Sequence, residues 1–480
     1  MNDSQDMPNP LSFAQQRIWF FNQLEPESPL YSGAIPTRWL GPLDLGALEH
    51  SLAELVRRHE VLRTRFPLTT DGVAQEVGPA ETFHLPVHDC SGLPGLAPQF
   101  RARGWILEAA TRPFDLTRES PMRAGLLRLA PEDHVLVLVL HHIAFDRWSR
   151  GLLRRELATL YTAFVAGRPS PLPELAVQYR DYARDQRDQI RSGALAPHLA
   201  YWREQLSGAP AAMDLPTDRP RGRVRSYRGE ELSSTLSPGL VEALGALSRR
   251  ERVTLFMTLL SGFSSLLCRW TGQTDIVIGS PSAGRSLPEL ETLIGCFTNT
   301  LVLRVDLSGN PTFRQLLAKV RAVAIGAYAH QFPFEKLVEE LQPERDTRHH
   351  PMFQVLFNYL DFAHHEATLP GLRGEDWQVD LETALVDLSV DIRKAPEGLT
   401  CYFTYSTELF ERTTVARLMS HYVMLLEAAV RAPDRALSAL ALPPWESDLD
   451  ETERLLQELN QLSEEEAERL LDTQLRDLAK

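Results

Sequence analysis

The feature that most limits what this chain can fold into is the unbroken run Val135-Leu-Val-Leu-Val-Leu140, which ends abruptly at His141-His142-Ile-Ala-Phe-Asp146-Arg147-Trp148-Ser149. An uninterrupted Val/Leu run reads as a strand buried on both faces, since a half-exposed strand would alternate apolar with polar side chains. Beyond it, Leu153, Leu157, Leu160, Tyr161 and Phe164 recur at helical spacing and give the next element one apolar stripe. The two histidines and the aspartate therefore fall in a strand-to-helix loop, where a rigid scaffold commonly carries reactive side chains.

A neutral imidazole is the side chain best able to take or give a proton near neutral pH, provided a neighbour fixes its tautomer and orientation. Asp146 is a candidate for that neighbour. A purely structural reading of the same letters also exists, in which the histidines simply close a strand and Asp146 caps the following helix. The doubled histidine and Trp148-Ser149 make the segment more specific than a bare His-x-x-x-Asp.

The stretch resembles the His-His-x-x-x-Asp active-site motif of the condensation domains of nonribosomal peptide synthetases, members of the chloramphenicol acetyltransferase-like superfamily. Other blocks follow in the family's order. Leu11-Ser-Phe-Ala-Gln-Gln-Arg-Ile-Trp19 is similar to its opening signature, and Arg58-His-Glu-Val-Leu-Arg-Thr-Arg-Phe66 to its Arg-His-x-x-Leu-Arg-x-x-Phe block. Tyr179-Arg-Asp-Tyr-Ala183, Ile294-Gly-Cys-Phe-Thr-Asn-Thr300, Pro333-Phe-Glu335 and Pro351-Met-Phe-Gln-Val355 continue the series. The resemblance covers residues 11 to about 430. It implies an α/β fold of two acyltransferase-like lobes in a V-shaped pseudo-dimer, with the motif loop facing a channel between them.

The expected division is residues 1–175 for the lobe carrying the motif, 176–440 for the second lobe and 441–480 for a linker with a helical tail. The punctuation Gly167-Arg-Pro-Ser-Pro-Leu-Pro173 marks the passage from the first to the second. In the family, an acyl group held as a thioester on one phosphopantetheine arm is joined to an amine on another carrier protein. By position, His142 carries over as the catalytic histidine. His141 and Asp146 carry over as structural residues, Asp146 in an ion pair with Arg63, with Trp148 packed against the loop and Ser149 hydrogen-bonding locally. Phosphopantetheine would be a visiting arm and not a bound cofactor. The partners implied are donor and acceptor carrier proteins, with the chain itself a monomer. The two histidines speak against the heterocyclising subtype, which carries aspartates there, and the order Trp148-Ser149 against epimerising relatives. Similarity is greatest to domains joining an L-configured donor to an L-acceptor. A partner-recruiting domain without catalysis, and ester formation from an alcohol, remain open alternatives.

Departures from the family pattern fall near the channel. Arg147 replaces the usual glycine and is a possible channel gate. His330-Gln-Phe-Pro-Phe-Glu335 is one residue short, Asp185 stands where a tryptophan often does, Arg348-His349 replaces Ser-Arg, and Leu385-Val386 replaces Lys-Phe. The last two changes, at Arg348-His349 and Leu385-Val386, bear on the acceptor side and on substrate choice.

Size and charge agree with a large enzyme. At 480 residues two cores are expected, because single cores rarely grow beyond roughly 250–300 residues. No apolar run is long enough for a membrane helix, and Met1–Pro10 is polar, so a cytoplasmic location is expected. Cys90, Cys268, Cys296 and Cys401 lack metal-binding spacing and read as reduced packing residues. Net charge is -14, which argues against nucleic acid, and the twelve acidic and four basic residues of 446–480 carry -8 of it. In that tail Ser463-Glu-Glu-Glu466 is a capping box, and Ala467, Leu471, Leu475 and Leu478 form an apolar stripe, so the tail reads as a docking helix or as a linker segment.

Three further patterns imitate other sites. Gly279-Ser-Pro-Ser-Ala-Gly284-Arg285-Ser286 looks like a phosphate-binding loop but has Arg285 in place of lysine, with Pro288 poorly placed for the required helix. Its glycines are one residue too far apart for a nucleophile elbow around Ser282. His349-His350 and His364-His365 have no ligand-like spacing to carboxylate or cysteine, and no metal site is expected.

Overall fold

The structure is a computed structural model that describes residues 9–440 apart from 71, 81–82, 93–94, 96, 224, 343–347, 362–368, 378, 380–381 and 396–397. The expected docking helix of the tail, and His364-His365, lie outside the described residues.

The Val/Leu run becomes the strand Asp133–His141, and every residue from His134 to His141 is buried. It owes this to its central place in a five-stranded sheet, ordered Arg373–Asp376, Ser32–Leu40, Asp133–His141, Met122–Ala130, Val87–Asp89. Both neighbours run antiparallel to it, with Ser32 opposite His141 on one side and Met122 opposite Leu140 on the other. Helix Ala97–Thr111 packs across this sheet, while helices Leu45–Arg58 and Arg147–Val165 pack against each other in the same core. Leu153, Leu157, Leu160 and Tyr161 are buried along the last of these, as the spacing predicts, with Leu152 beside them, while Phe164 at its end is only half-buried.

The second sheet has six strands, ordered Asn299–Asp306, Asp275–Ser282, Val355–Leu360, Leu388–Ala395, Gly398–Ser406, Gly229–Thr235. Its two faces separate by the period of two that a pleated strand imposes. Val355, Phe357, Val390, Ile392, Phe403 and Tyr405 are buried with helices Leu255–Thr271, Phe313–Ala329 and Arg412–Arg431. Leu356, Asn358, Ser389 and Thr404, on the alternate positions, line a cavity between the lobes.

The expected boundary at 175 follows the chain but does not divide the cores. Tyr179, Ala183, Leu293, Ile294, Cys296, Phe297 and Leu372 all pack into the first core. The strand Arg373–Asp376 also adds to the edge of the first sheet, with Thr37 opposite Asp376. The second lobe thus sends two segments back across the first, and the one at Leu293–Phe297 reaches the motif loop.

Candidate active site

The loop is built from the end of the buried strand. His141 stays inside, its Nδ1 accepting the Ile143 N–H at 3.3 Å. Burial, reinforced by His142 and Arg123, pushes its pKa down to about 3, so it is a neutral structural group. His142 opens a short 3-10 turn, His142–Ala144, and its own N–H donates to the Tyr31 carbonyl at 2.8 Å. Its Nδ1 lies 3.2 Å from the Phe145 carbonyl oxygen. A carbonyl can only accept, so Nδ1 carries the hydrogen and Nε2 is left with the lone pair. Burial holds the His142 imidazole below its ordinary pKa, outweighing the opposite pull of the Phe145 carbonyl and Asp146. The ring is therefore neutral at physiological pH and lines the interlobe cavity. A neutral imidazole with a fixed tautomer and a free lone pair can act as a general base.

Asp146 does not fix that tautomer. Its carboxylate is wholly used elsewhere. Oδ1 accepts from the Ser149 N–H at 2.8 Å, the Ser149 hydroxyl at 2.7 Å and Arg285 Nη2 at 3.1 Å. Oδ2 accepts from Arg285 Nη1 at 2.8 Å and the Phe297 N–H at 3.0 Å. The expected ion pair with Arg63 is therefore corrected. The partner is Arg285, and both side chains are almost fully buried. Arg63 instead donates to the carbonyls of Val56 and Gly78, tying its turn to the preceding helix and to Gly78. The structural reading of Asp146 as an N-cap is also right, because it caps helix Arg147–Val165.

Arg285 is the functional residue that local sequence reasoning missed, having met it only as the failed lysine of a phosphate loop. Gly284 explains the glycine spacing of that loop in another way. It adopts φ +64°, and a Cβ there would lie 1.8 Å from the Phe297 carbonyl oxygen, so the loop must turn tightly against its own return strand. Arg285 then points out of the second lobe into the first, lying over the rings of Phe297 at 4.2 Å and Trp148 at 5.5 Å. Trp148, expected to pack against the motif loop, instead meets this second-lobe segment, and its Nε1 donates to the Glu291 carbonyl at 3.0 Å. Ser149 hydrogen-bonds locally and also joins the lobes, donating to the Gly295 carbonyl at 3.0 Å and accepting the Gly295 N–H at 3.1 Å.

The remaining blocks brace the same loop. Gln15 donates to the Ile143 carbonyl at 3.2 Å. Tyr179 shares its hydroxyl with Ser12 Oγ at 2.8 Å and donates it to the Cys296 carbonyl at 2.7 Å, which ties the opening signature to the returning segment. Arg58 and His59 meet on buried Glu156, at 3.3 and 2.8 Å. Asn299 donates to the Phe332 carbonyl at 2.9 Å and accepts the Phe334 N–H at 3.0 Å, which seats the Pro333-Phe-Glu335 block. Across the lobes, Arg17 lies 3.2 Å from Glu335.

These contacts enclose a cavity of about 610 Å³ lined by His142, Arg147, Trp148, Arg17, Tyr31, Ser282, Thr300, Asn358, Ser389 and Thr404 among others. Such a volume is in the range of small-molecule sites. Arg147 stands exposed within it. His350 lines the opposite side, stacked on Phe334, with burial pushing its pKa down to about 3. Among the described residues no cluster of histidine, cysteine, aspartate and glutamate could hold a metal ion, and no single helix is long and apolar enough to cross a membrane. All four cysteines are free.

Comparison with known proteins agrees with this architecture. Over 454 residues the chain is 42% identical to the chondramide synthase of Chondromyces crocatus, covering 94% of this chain and only 11% of that much longer protein. The X-domain from teicoplanin biosynthesis superposes with a TM-score of 0.82 at 28% identity, over 92% of this chain and 100% of that one. The first condensation domain of the calcium-dependent antibiotic synthetase gives a TM-score of 0.75 at 23% identity, over 91% of this chain and 100% of that one, which speaks for the fold alone. A family model described as the condensation domain matches residues 5–450. With the paired histidines, the interlobe cavity and both sheets in place, the chain belongs to the condensation-domain family of nonribosomal peptide synthetases.

Proposed function

We propose that this chain joins a donor acyl thioester to an acceptor amine, each brought on the phosphopantetheine arm of a carrier protein, and releases the amide product on the acceptor. The observation that carries this reading is the neutral His142, its Nδ1–H committed to the Phe145 carbonyl and its Nε2 free beside the cavity. The amine nitrogen attacks the thioester carbon to form a tetrahedral oxyanion. His142 Nε2 takes the proton that the attacking nitrogen must lose. Collapse breaks the C–S bond, and the same imidazolium returns the proton to the leaving thiolate. A thioester is already activated, so holding the two arms in line and moving one proton are the main tasks left to the protein. The arms are visiting substrates in this scheme, no cofactor is held, and the work is cytoplasmic.

The direct test mixes the chain with an acyl-S-carrier protein and an aminoacyl-S-carrier protein and follows the acceptor by intact-protein mass spectrometry, with His142→Ala alongside. The expected result is a mass gain equal to the donor acyl group, with the rate lowered roughly 10²–10⁴-fold in the variant. Urea unfolding should show that variant within about 1 kcal/mol of the parent, since the His142 ring lines the cavity and is not part of the apolar core. Full activity in His142→Ala would refute the role. One observation favours a second reading, a recruitment domain without turnover: Arg147 stands inside the cavity where the resemblance leads one to expect glycine. Carrier binding with no mass gain across several donor and acceptor pairs would establish that reading instead.

A further inference from the structure

The cavity wall described among these residues carries two guanidinium groups, and their circumstances differ. Arg17 is neutralised by Glu335 at 3.2 Å. Arg147 makes no ion pair and no hydrogen bond among the described residues, although it lines the same cavity as His142. It is the first residue of helix Arg147–Val165, immediately after the N-cap. A cation in the first helical turn opposes the helix dipole, so its placement there works against the helix itself. A local rule broken at a cavity wall, with no visible compensation, is a mark of function.

Opposite Arg147 stands the second sheet. Its register sets Asn358 beside Asp391 and Asp391 beside Tyr402, and the next row sets Leu356 beside Ser389 and Ser389 beside Thr404. Glu231 adjoins that row next to Thr404. Two carboxylates, Asp391 and Glu231, are thus within electrostatic reach of Arg147. Both already lean on Arg393, at 3.7 and 3.6 Å, and Arg393 lies 3.8 Å over the Tyr402 ring. The surrounding walls push the Arg147 guanidinium below its ordinary pKa, and Asp391 and Glu231 only partly offset this. The group is a partly desolvated fork of N–H donors still short of an acceptor, five positions along the chain from His142, whose ring feels its charge.

We propose that Arg147 is a specificity-determining residue that binds a carboxylate on the substrate, so that the channel selects an acidic donor acyl group or an acidic acceptor amino acid. The proposal rests on the cavity being the condensation channel and names the substrate class it takes. A side-chain carboxylate a few bonds from the reacting carbon meets the guanidinium fork in the bidentate geometry that arginine favours. The matching amide substrate is nearly the same shape but leaves the guanidinium without its counter-charge, and a site built to pair a polar group of the substrate discriminates against the analogue that lacks it.

Binding of non-hydrolysable pantetheinamides by calorimetry tests this without turnover. N-acetyl-Glu against N-acetyl-Gln pantetheinamide forms the donor arm, because the blocked amine cannot serve as acceptor. Glu against Gln pantetheinamide, with free amines, forms the acceptor arm. In one of the two arms the carboxylate form should bind roughly tenfold tighter or more, the scale of a charge-assisted hydrogen bond. The preference should fall to near unity in Arg147→Gln and survive in part in Arg147→Lys, which keeps the charge and loses the fork. Ratios near one in both arms for the parent chain would overturn the proposal whatever the variants do. So would a preference that persists in Arg147→Gln. Tighter binding of bulky neutral forms by Arg147→Ala, with the acid-to-amide ratio unchanged, would also overturn it and make Arg147 a steric gate. Failure of the condensation reading shows separately, as absence of turnover with both the Glu-loaded and the Gln-loaded carriers.

Discussion

Replacing Asp146 with alanine is the perturbation whose cost the structure specifies most fully. The carboxylate accepts from two backbone N–H groups, one hydroxyl and both arms of the Arg285 guanidinium, and the pair is buried on both sides. Removing one member of such a pair strands the other charge, at a cost of about 3–5 kcal/mol. Loss of the N-cap adds about 1 kcal/mol. Asp146→Ala should therefore lose about 4–6 kcal/mol, a large share of the roughly 5–15 kcal/mol that holds a typical domain folded. The assay is urea unfolding followed by circular dichroism. A double-mutant cycle gives it direction: Arg285→Met in the Asp146→Ala background removes the stranded charge and should return about 1–3 kcal/mol. Arg63→Ala should show coupling to Asp146 within about 0.5 kcal/mol of zero. A loss under about 1 kcal/mol for Asp146→Ala, or coupling to Arg63 in place of Arg285, would refute the reasoning.

The pH dependence of the rate follows from the His142 pKa being held below its ordinary value of 6.5. In the proposed role His142 works when neutral, so kcat/KM should rise through a midpoint below 6.5 and stay level to neutral pH. A midpoint above about 7 in a pH-rate profile would show that the imidazole is not desolvated. Stability should depend on pH through His141, whose folded pKa of about 3 lies below its unfolded value of 6.5. Between those values the unfolded chain binds the extra proton, so stability falls as pH drops, by about 1.4 kcal/mol per unit from this group alone. His141→Asn should flatten the urea-derived slope by that amount, and an unchanged slope would mean His141 protonates in the folded chain. Removal of residues 446–480 should weaken affinity for a partner protein and leave kcat alone if the tail docks. Unchanged affinity would make it a linker.

How much of this could be read from the sequence depended on the range over which each contact acts. The unbroken apolar run Val135–Leu140 marks a strand buried on both faces and the stripe from Leu153 to Tyr161 follows the helical period of 3.6, both of which the eye can follow, and strand, loop and helix stand where those patterns place them. Asp146 as an N-cap was legible for the same reason, since its bond to Ser149 spans three residues. The partner of Asp146 was not, because 139 positions separate it from Arg285 and nothing in either segment points to the other. Nor was the group that orients His142: it is the Phe145 backbone carbonyl, which any residue at that position would supply. The sequence blocks implied Arg63 as the partner, but that guanidinium is consumed by the backbone carbonyls of Val56 and Gly78.

The same contacts explain why a single reactive side chain comes with so many motif blocks. His142 needs only a neutral ring, one fixed tautomer and a clear approach. Its loop is nevertheless held from the first lobe by Gln15 and from the second by Arg285, Gly295 and Phe297. His142 and the segment that shapes its loop thus belong to different lobes. Any movement of one lobe against the other bears on the Asp146 carboxylate, which sits at the centre of that joint, before it reaches the imidazole. A buried charge pair is well suited to such a place, because it contributes little net stability yet punishes every arrangement but one. The histidine therefore keeps its aim only while the lobes keep their register, and the cavity in which two carrier-borne arms would meet is open on the same condition.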